Sequence, residues 1–367
     1  MKKVLFLIHD LGPGGAERVL VNLANHMDSA RFDVTVMTLF DVGVNRQLLA
    51  PHVHYKSCFR KMIRGNSHLM KLLSPRRLHR WLIKEHYDME IAYLEGPSAR
   101  VVSGCLDSES RCLAWIHCMA QPKGNVTLGF RSKTEAIRSY GRFDRVVCVS
   151  ATAAEAFHRV FPMLPTPDVV YNTNDTRLIR EKATQPVDMP QAGFHLIAVG
   201  RLIPVKGFDR LLRIHQRLRL EGYPVHTLIL GTGELEQSLK NQAAELGVAD
   251  TVSFLGYQTN PYAYVAKSDL FVCSSLSEGF STAATEALIV GTPVCTVEVS
   301  GMKEMLGENN DFGIVTENSE QALYAGLKQL LDDPALLQHY KKKAAERGND
   351  FNTKNTVTAV ERLLEEL

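Results

Sequence analysis

Short apolar runs alternate with longer amphipathic segments along the whole chain. VLFLI, DVTVMTL, MEIAYL, RCLAWIH and RVVCVS, with VVY last, occupy the first half. HLIAVG, HTLIL, VSFLG, LFVCSS, PVCTV and GIV occupy the second. Runs of this length, apolar on successive residues, predict strands buried on both faces, as in parallel sheets. Between them AERVLVNLANHM, FDRLLRIHQRLRL and ELEQSLKNQAAELG repeat apolar residues at helical spacing. Strand and helix in alternation predict an α/β chain with crossover helices.

At 367 residues the chain is too long for one ordinary domain. A polar stretch, NTNDTRLIREKATQPVDMPQAG, carries Pro186 and Pro190 ahead of a fresh strand and marks a join near residue 185. Each half then reads as a doubly wound Rossmann-like domain, 1–185 and 186–350. The last segment, 351–367, follows a complete second domain and predicts a helix crossing back to the first. Two such domains are expected to face each other across a deep cleft lined by the carboxyl ends of both sheets.

Composition narrows the class without naming it. With 45% hydrophobic and 22% charged residues and a net charge of +2, the chain is globular, and only the placement of charge is informative. Its seven cysteines are scattered with no CxxC pair, which favours reduced, buried thiols over a zinc site or a disulfide framework. The opening MKKVLFLIHD has an apolar run only from Val4 to Ile8, so it predicts a first strand and not a signal peptide. No stretch approaches the roughly 20 apolar residues of a spanning helix. A cytoplasmic protein is expected.

Ligands of open α/β sheets bind beyond the carboxyl ends of strands, so loops that follow strands hold the candidates. After the first strand, HDLGPGGAERVL places Gly12, Gly14 and Gly15 before a helix whose N–H groups and positive dipole end suit a phosphate or a sugar hydroxyl. Glu17 stands where a dinucleotide fingerprint needs its third glycine. An ordinary tight turn is the plainer reading. His9 and His117 stand where strands hand over to loops, although a lone histidine is more often structural. In VGRLIPVKGFDRLL, Arg201 and Lys206, beside Gly200 and Gly207, converge on an anion as a planar fork and a point charge. Two solvated charges are the plainer alternative. LILGTGELEQSL repeats the strand–glycine–helix pattern with Gly231 and Gly233, but Glu234 and Glu236 oppose a phosphate there, so this loop shapes a wall near a nucleoside. Tyr257 and Asn260 lie in a loop where an uncharged pocket would accept a base.

The densest signal is SSLSEGFSTAATEALIVGTPV. Glu278 lies on the turn leaving LFVCSS, and Gly279, Phe280 and Ser281 lead into a helix with N–H groups suited to an anion. Glu286 lies over a turn into that helix, where a carboxylate can accept both hydroxyls of a ribose. Glu278 is placed for a second polyol. A ribose, a diphosphate and a sugar together make a nucleotide-sugar.

VGRLIPVKGFDRLL, GTGELEQSL, FLGYQTNPYAYVAKSDLFVCSSLSEGFSTAATEALIVGTPV and the early GPGGAERVL resemble the retaining glycosyltransferases of family 4, which have the GT-B fold. The resemblance spans nearly the whole chain, is specific from about 195 to 300 and is diffuse in the N-terminal half. It implies that Glu286, the second glutamate of the family's E-x(7)-E motif, grips the ribose and that Glu278, the first, contacts the donor sugar. Arg201 and Lys206 match the pair that neutralises the diphosphate, His117 a histidine touching the transferred sugar, and Gly14 and Gly15 the loop facing diphosphate and acceptor. Asn172 matches the asparagine of the hinge segment, where Thr173 and Asn174 replace the usual proline and aliphatic residue and suggest a looser hinge. Ser281 and Thr282 replace a common Pro-Asn pair, a version that also occurs in the family.

The reaction implied is retaining transfer from a nucleotide-diphosphate sugar, UDP-linked in most such donors, to a hydroxyl. No D-x-D metal motif is present, so no metal or other cofactor is expected. Between Tyr55 and Glu85 the stretch 56–84 holds nine Lys or Arg and no acid, interleaved with residues such as Phe59, Met62, Ile63, Trp81 and Leu82. Such a basic amphipathic stretch lies on an anionic membrane surface, against the rival of a solvated helical face. The expected partners are a nucleotide-sugar, a glycan or lipid-linked glycan acceptor of cell-surface polysaccharide assembly, and the inner face of the cell membrane. No nucleic acid is expected. A non-catalytic nucleotide-sugar-binding scaffold is one rival, and an NAD(P)-dependent oxidoreductase another, disfavoured by the incomplete fingerprint.

Overall fold

The first apolar run shows why these elements form. Val4 to Ile8 are all fully buried, which only a strand in the middle of a covered sheet achieves for successive residues. The computed structural model describes residues 1–61, 70–121, 124–190 and 193–367. The chain divides into two compact units, Met1–Asn174 with Thr353–Leu367, and Asp175–Asn352.

In the first unit the strands are β1 (Lys2–Ile8), β2 (Phe32–Phe40), β3 (His54–Phe59), β4 (Met89–Ala92), β5 (Arg111–Ile116), β6 (Arg145–Cys148) and β7 (Asp168–Val169). They pair in parallel in the order β3-β2-β1-β4-β5-β6-β7. One face buries Leu5, Leu7, Ala114, Tyr140 and Phe157 in a single apolar cluster. The edge strand β3 has no apolar run to announce it, because none of its residues is fully buried. It takes the start of the basic stretch 56–84 into the sheet, and the helix Pro75–Leu82 takes most of its end. Residues 62–69 of that stretch lie outside the described residues.

The second unit has β8 (Phe194–Val199), β9 (Val225–Leu230), β10 (Val252–Gly256), β11 (Leu270–Cys273), β12 (Val294–Val297) and β13 (Ile314–Thr316). Their order is β10-β9-β8-β11-β12-β13, again parallel. Strand order therefore reverses between β1 and β4 in one sheet and between β8 and β11 in the other. Loops leaving the carboxyl ends of strands on either side of a reversal diverge and leave a crevice.

Two helices fix the limits of the units. The helix Thr176–Ala183, capped by Asp175, packs on Pro261–Lys267 and Thr282–Ile289, so the second unit begins one helix before the polar join near 185. The helix Thr353–Glu365 packs on Gly15–His26 of the first unit. Its Glu361 accepts the Asp28 N–H at 2.7 Å and pairs with Arg31 at 3.1 Å. No helix among the described residues is long and apolar enough to cross a membrane.

Candidate active site

The reversal between β8 and β11 brings together the charged groups singled out in the second half. Beyond β8, the turn Pro204–Lys206 ends at Gly207, whose φ of +60° is left-handed. A Cβ there would lie 2.2 Å from the Ser274 carbonyl oxygen, so only glycine lets this loop press against the end of β11. The Ser274 hydroxyl donates to the Lys206 carbonyl at 3.0 Å, and the Leu276 N–H to the Val205 carbonyl at 2.7 Å. Two loops far apart in sequence are thereby stitched into one wall.

Within that wall Lys206 Nζ lies 2.6 Å from Glu278 Oε1, with the two side chains 23% and 10% exposed. The Ser275 hydroxyl donates to the same oxygen at 2.5 Å. Arg210 supports the arrangement from beneath: Nε donates to the Ser274 carbonyl at 2.7 Å, one terminal nitrogen to the Ser275 carbonyl at 2.8 Å and the other to Asn318. Arg210 is 6% exposed. Sequence patterning does not single it out, since a charge in an amphipathic helix reads as solvent-facing. Arg201 is exposed. A small cavity is lined by Lys206, Phe208, Ser274, Ser275, Glu278 and Ser281.

The E-x(7)-E segment spans a buried turn and a helix. Ser281 is the N-cap of Thr282–Ile289, its hydroxyl accepting the Ala284 N–H at 3.3 Å, and Gly279 and Phe280, both buried, lie just before it. Glu286 is half-buried, and the Tyr262 hydroxyl donates to its Oε1 at 3.4 Å. Tyr262 is a further neighbour that the sequence does not single out.

Other candidates carry structural work. Gly231 has φ +132°, and a Cβ there would lie 2.0 Å from the Gly200 carbonyl oxygen, so close packing of two loops already requires it. A Cβ on Gly200 meets only ordinary contacts, the nearest at 3.6 Å. The Asn260 amide donates to the Lys182 carbonyl and to Gln185, both at 2.9 Å, tethering Thr176–Ala183. Tyr257 is 51% exposed.

In the first unit the reversal between β1 and β4 places two loops with their own polar network. Asp10 accepts the Gly12 N–H at 2.7 Å and faces His9 Nδ1 at 2.7 Å. Gly14 is the N-cap of Gly15–His26, and a Cβ on it would strike only the flexible end of Glu17. At the end of β5, the His117 N–H donates to Glu95 Oε2 at 3.1 Å, and the ring lies 4.7 Å from that of Tyr93. The residue is partly exposed, yet its Nε2 is enclosed with no hydrogen-bond partner. Burial pushes the imidazole down to about 3, leaving it uncharged at neutral pH. Asn172, Thr173 and Asn174 are buried, the latter two with carbonyls bonded to Asn22 and Thr353.

Comparison with known proteins identifies the family. Residues 13–178 match Glycosyltransferase Family 4, and residues 180–347 match Glycosyl transferases group 1. Together they account for most of the chain, which belongs to the family 4, group 1 glycosyltransferases. The chain is a glycosyltransferase with the GT-B fold. It is 28% identical to the N-acetylgalactosamine-N,N'-diacetylbacillosaminyl-diphospho-undecaprenol 4-alpha-N-acetylgalactosaminyltransferase of Campylobacter jejuni, over 96% of each chain. It is 24% identical to the lipopolysaccharide core biosynthesis glycosyltransferase LpsD of Rhizobium meliloti, over 92% of this chain and 91% of that one. Among solved structures, HepE of Anabaena in complex with UDP superposes with a TM-score of 0.78 at 20% identity, covering all of both chains.

Proposed function

We propose that this glycosyltransferase moves a sugar from a UDP-sugar to a hydroxyl of a lipid-linked glycan, with retention at the anomeric carbon and without a metal in the transfer step. The observation that carries this reading is the Lys206–Glu278 pair at the β8–β11 reversal, held by Ser275 and Arg210. Lys206 offers a positioned cation for the diphosphate, with Arg201 as the second. Glu278 then exchanges its lysine partner for hydroxyls of the donor sugar. Glu286 receives the ribose, and the uncharged His117 contacts the transferred sugar without adding a cation beside the positive charge that develops on its ring.

In the transfer, the bond between the anomeric carbon and the diphosphate oxygen breaks as the bond to the acceptor oxygen forms on the same face. The acceptor's proton passes to the departing phosphate, so no protein base is required. Preorganised charge at the leaving group lowers the barrier more than the same charge in water, because it needs no reorganisation at the moment of reaction.

A lipid-linked acceptor is supported by the Campylobacter relative, whose name specifies a diphospho-undecaprenol substrate. Docking on an anionic membrane through the basic stretch is supported by Arg76, Arg77, Arg80 and Lys84, all exposed, with Trp81 51% and Leu72 75% exposed among them. Lys56 is already paired with Glu85 at 2.6 Å and is not part of that face.

The deciding experiment measures nucleotide-diphosphate release from UDP-, GDP- and ADP-sugars, with EDTA, with and without lipid extract, for wild type and Glu286→Ala. Turnover of a UDP-sugar, enhanced by lipid and lost in the variant, is expected. Binding of a donor without turnover on any acceptor would overturn the catalytic reading in favour of a scaffold. Anomeric analysis of the product tests retention. Equal sedimentation with neutral and anionic liposomes would remove the membrane-docking part.

A further inference from the structure

Three chemistry-bearing side chains from separate parts of the first unit meet in its interior, apart from every residue assigned above. His79 lies on Pro75–Leu82, Glu90 on β4 and Cys105 beyond the helix Pro97–Val102. Glu90 is 2% exposed and Cys105 7%. His79 Nε2 lies 2.7 Å from Glu90 Oε2, and the Cys105 thiol faces Glu90 Oε1 at 3.7 Å. One donor atom from each of His79, Glu90 and Cys105 falls within 4.8 Å of the others.

A carboxylate on the middle of a buried strand is costly unless its charge is compensated. Nitrogen, oxygen and sulfur donors converging on one point make the set that zinc takes, at about 2.0 Å to nitrogen and oxygen and about 2.3 Å to sulfur. Tetrahedral angles at those lengths separate the donors by roughly 3.3–3.7 Å. One donor atom from each of the three residues lies within 4.8 Å of the others, so reaching that separation asks for shifts of at most about 1.5 Å. Charge also balances: one carboxylate and one thiolate neutralise a divalent ion, with the imidazole neutral.

We propose that His79, Glu90 and Cys105 bind a zinc-class divalent cation. The ion joins the helix Pro75–Leu82 to β4 and to the segment that follows the helix Pro97–Val102, a structural role separate from sugar transfer. The basic face that includes this helix is thereby given a fixed seat on the sheet.

The test uses the full chain. Zinc is removed under reducing conditions, and the protein is titrated with zinc and with cobalt. About one equivalent bound, a sulfur-to-cobalt charge-transfer absorption, and zinc protection of thiols from alkylation are expected. In Cys105→Ser, affinity should fall by at least about 100-fold, since even partners behind the ligands contribute 10–100-fold. Cys58→Ser, at a cysteine outside the cluster, should bind as wild type. Wild-type protein that binds no stoichiometric zinc and shows no thiolate–cobalt band would overturn the proposal, whatever the variants do. So would stoichiometric zinc retained unchanged in a folded Glu90→Gln/Cys105→Ser double variant.

Discussion

Removing Lys206 separates two roles that the Lys206–Glu278 pair combines. In Lys206→Ala, Glu278, whose side chain is 10% exposed in the native protein, loses its cation and keeps the Ser275 hydroxyl. Removing one member of a fully buried ion pair costs about 3–5 kcal/mol. Lys206 is 23% exposed and its partner keeps a hydroxyl, so a smaller loss of about 2 kcal/mol is expected. In a unit of this size that lowers Tm by roughly 4–8 °C. Glu278→Gln added to Lys206→Ala removes the orphaned charge, and the double variant should regain most of that loss through a coupling of about 1–3 kcal/mol. Activity should behave differently. Loss of one preorganised charge at the leaving group lowers kcat by about 10²–10³, and the second substitution cannot restore it. Thermal unfolding and donor turnover, measured on both single variants and the double, read the two roles independently. Wild-type turnover in Lys206→Ala, or recovery of turnover together with Tm in the double variant, would refute the assignment of Lys206 to the diphosphate.

Three further outcomes follow from the same geometry. Gly207→Ala forces a side chain into left-handed backbone and against the Ser274 carbonyl; a loss of about 2–4 kcal/mol and of donor binding is expected, read by thermal unfolding and nucleotide titration. His215 is fully buried between Thr227 and Thr251, and burial pushes it from 6.5 down to about 4. The unfolded chain takes up this proton first, so stability is complete above about pH 6.5 and falls as pH drops toward 4, by up to about 3 kcal/mol; His215→Gln should flatten that slope in Tm measured against pH. Glu361→Ala leaves the Asp28 N–H and Arg31 without their buried acceptor; faster hydrogen exchange at Asp28 and earlier proteolysis of Thr353–Glu365 are expected, with about 1–3 kcal/mol lost.

Runs that sheets bury on both faces are legible in the sequence, since apolar continuity survives whatever the chain packs against. The placement of Lys206 and Glu278 beyond strand ends is legible too, because each follows closely on an apolar run. Strand β3 is not, because a half-exposed edge strand leaves HYKSCF with polar and apolar residues in mixture. The polar join near 185 falls too late for the start of the second unit because a polar helix such as Thr176–Ala183 reads like a linker. Only the tether from Asn260 and its packing on Pro261–Lys267 assign that helix.

By itself, then, the sequence determined the α/β class, two doubly wound halves and the charged groups that lie just beyond their strands, because these depend on local periodicity and on residues close to strand ends. Tertiary structure alone decided that Lys206 meets Glu278, that Arg210 is buried beneath them, that Gly231 serves loop packing, and that His79, Glu90 and Cys105 converge. Such pairings join residues separated along the chain, and strand order, which no local pattern encodes, brings them into contact.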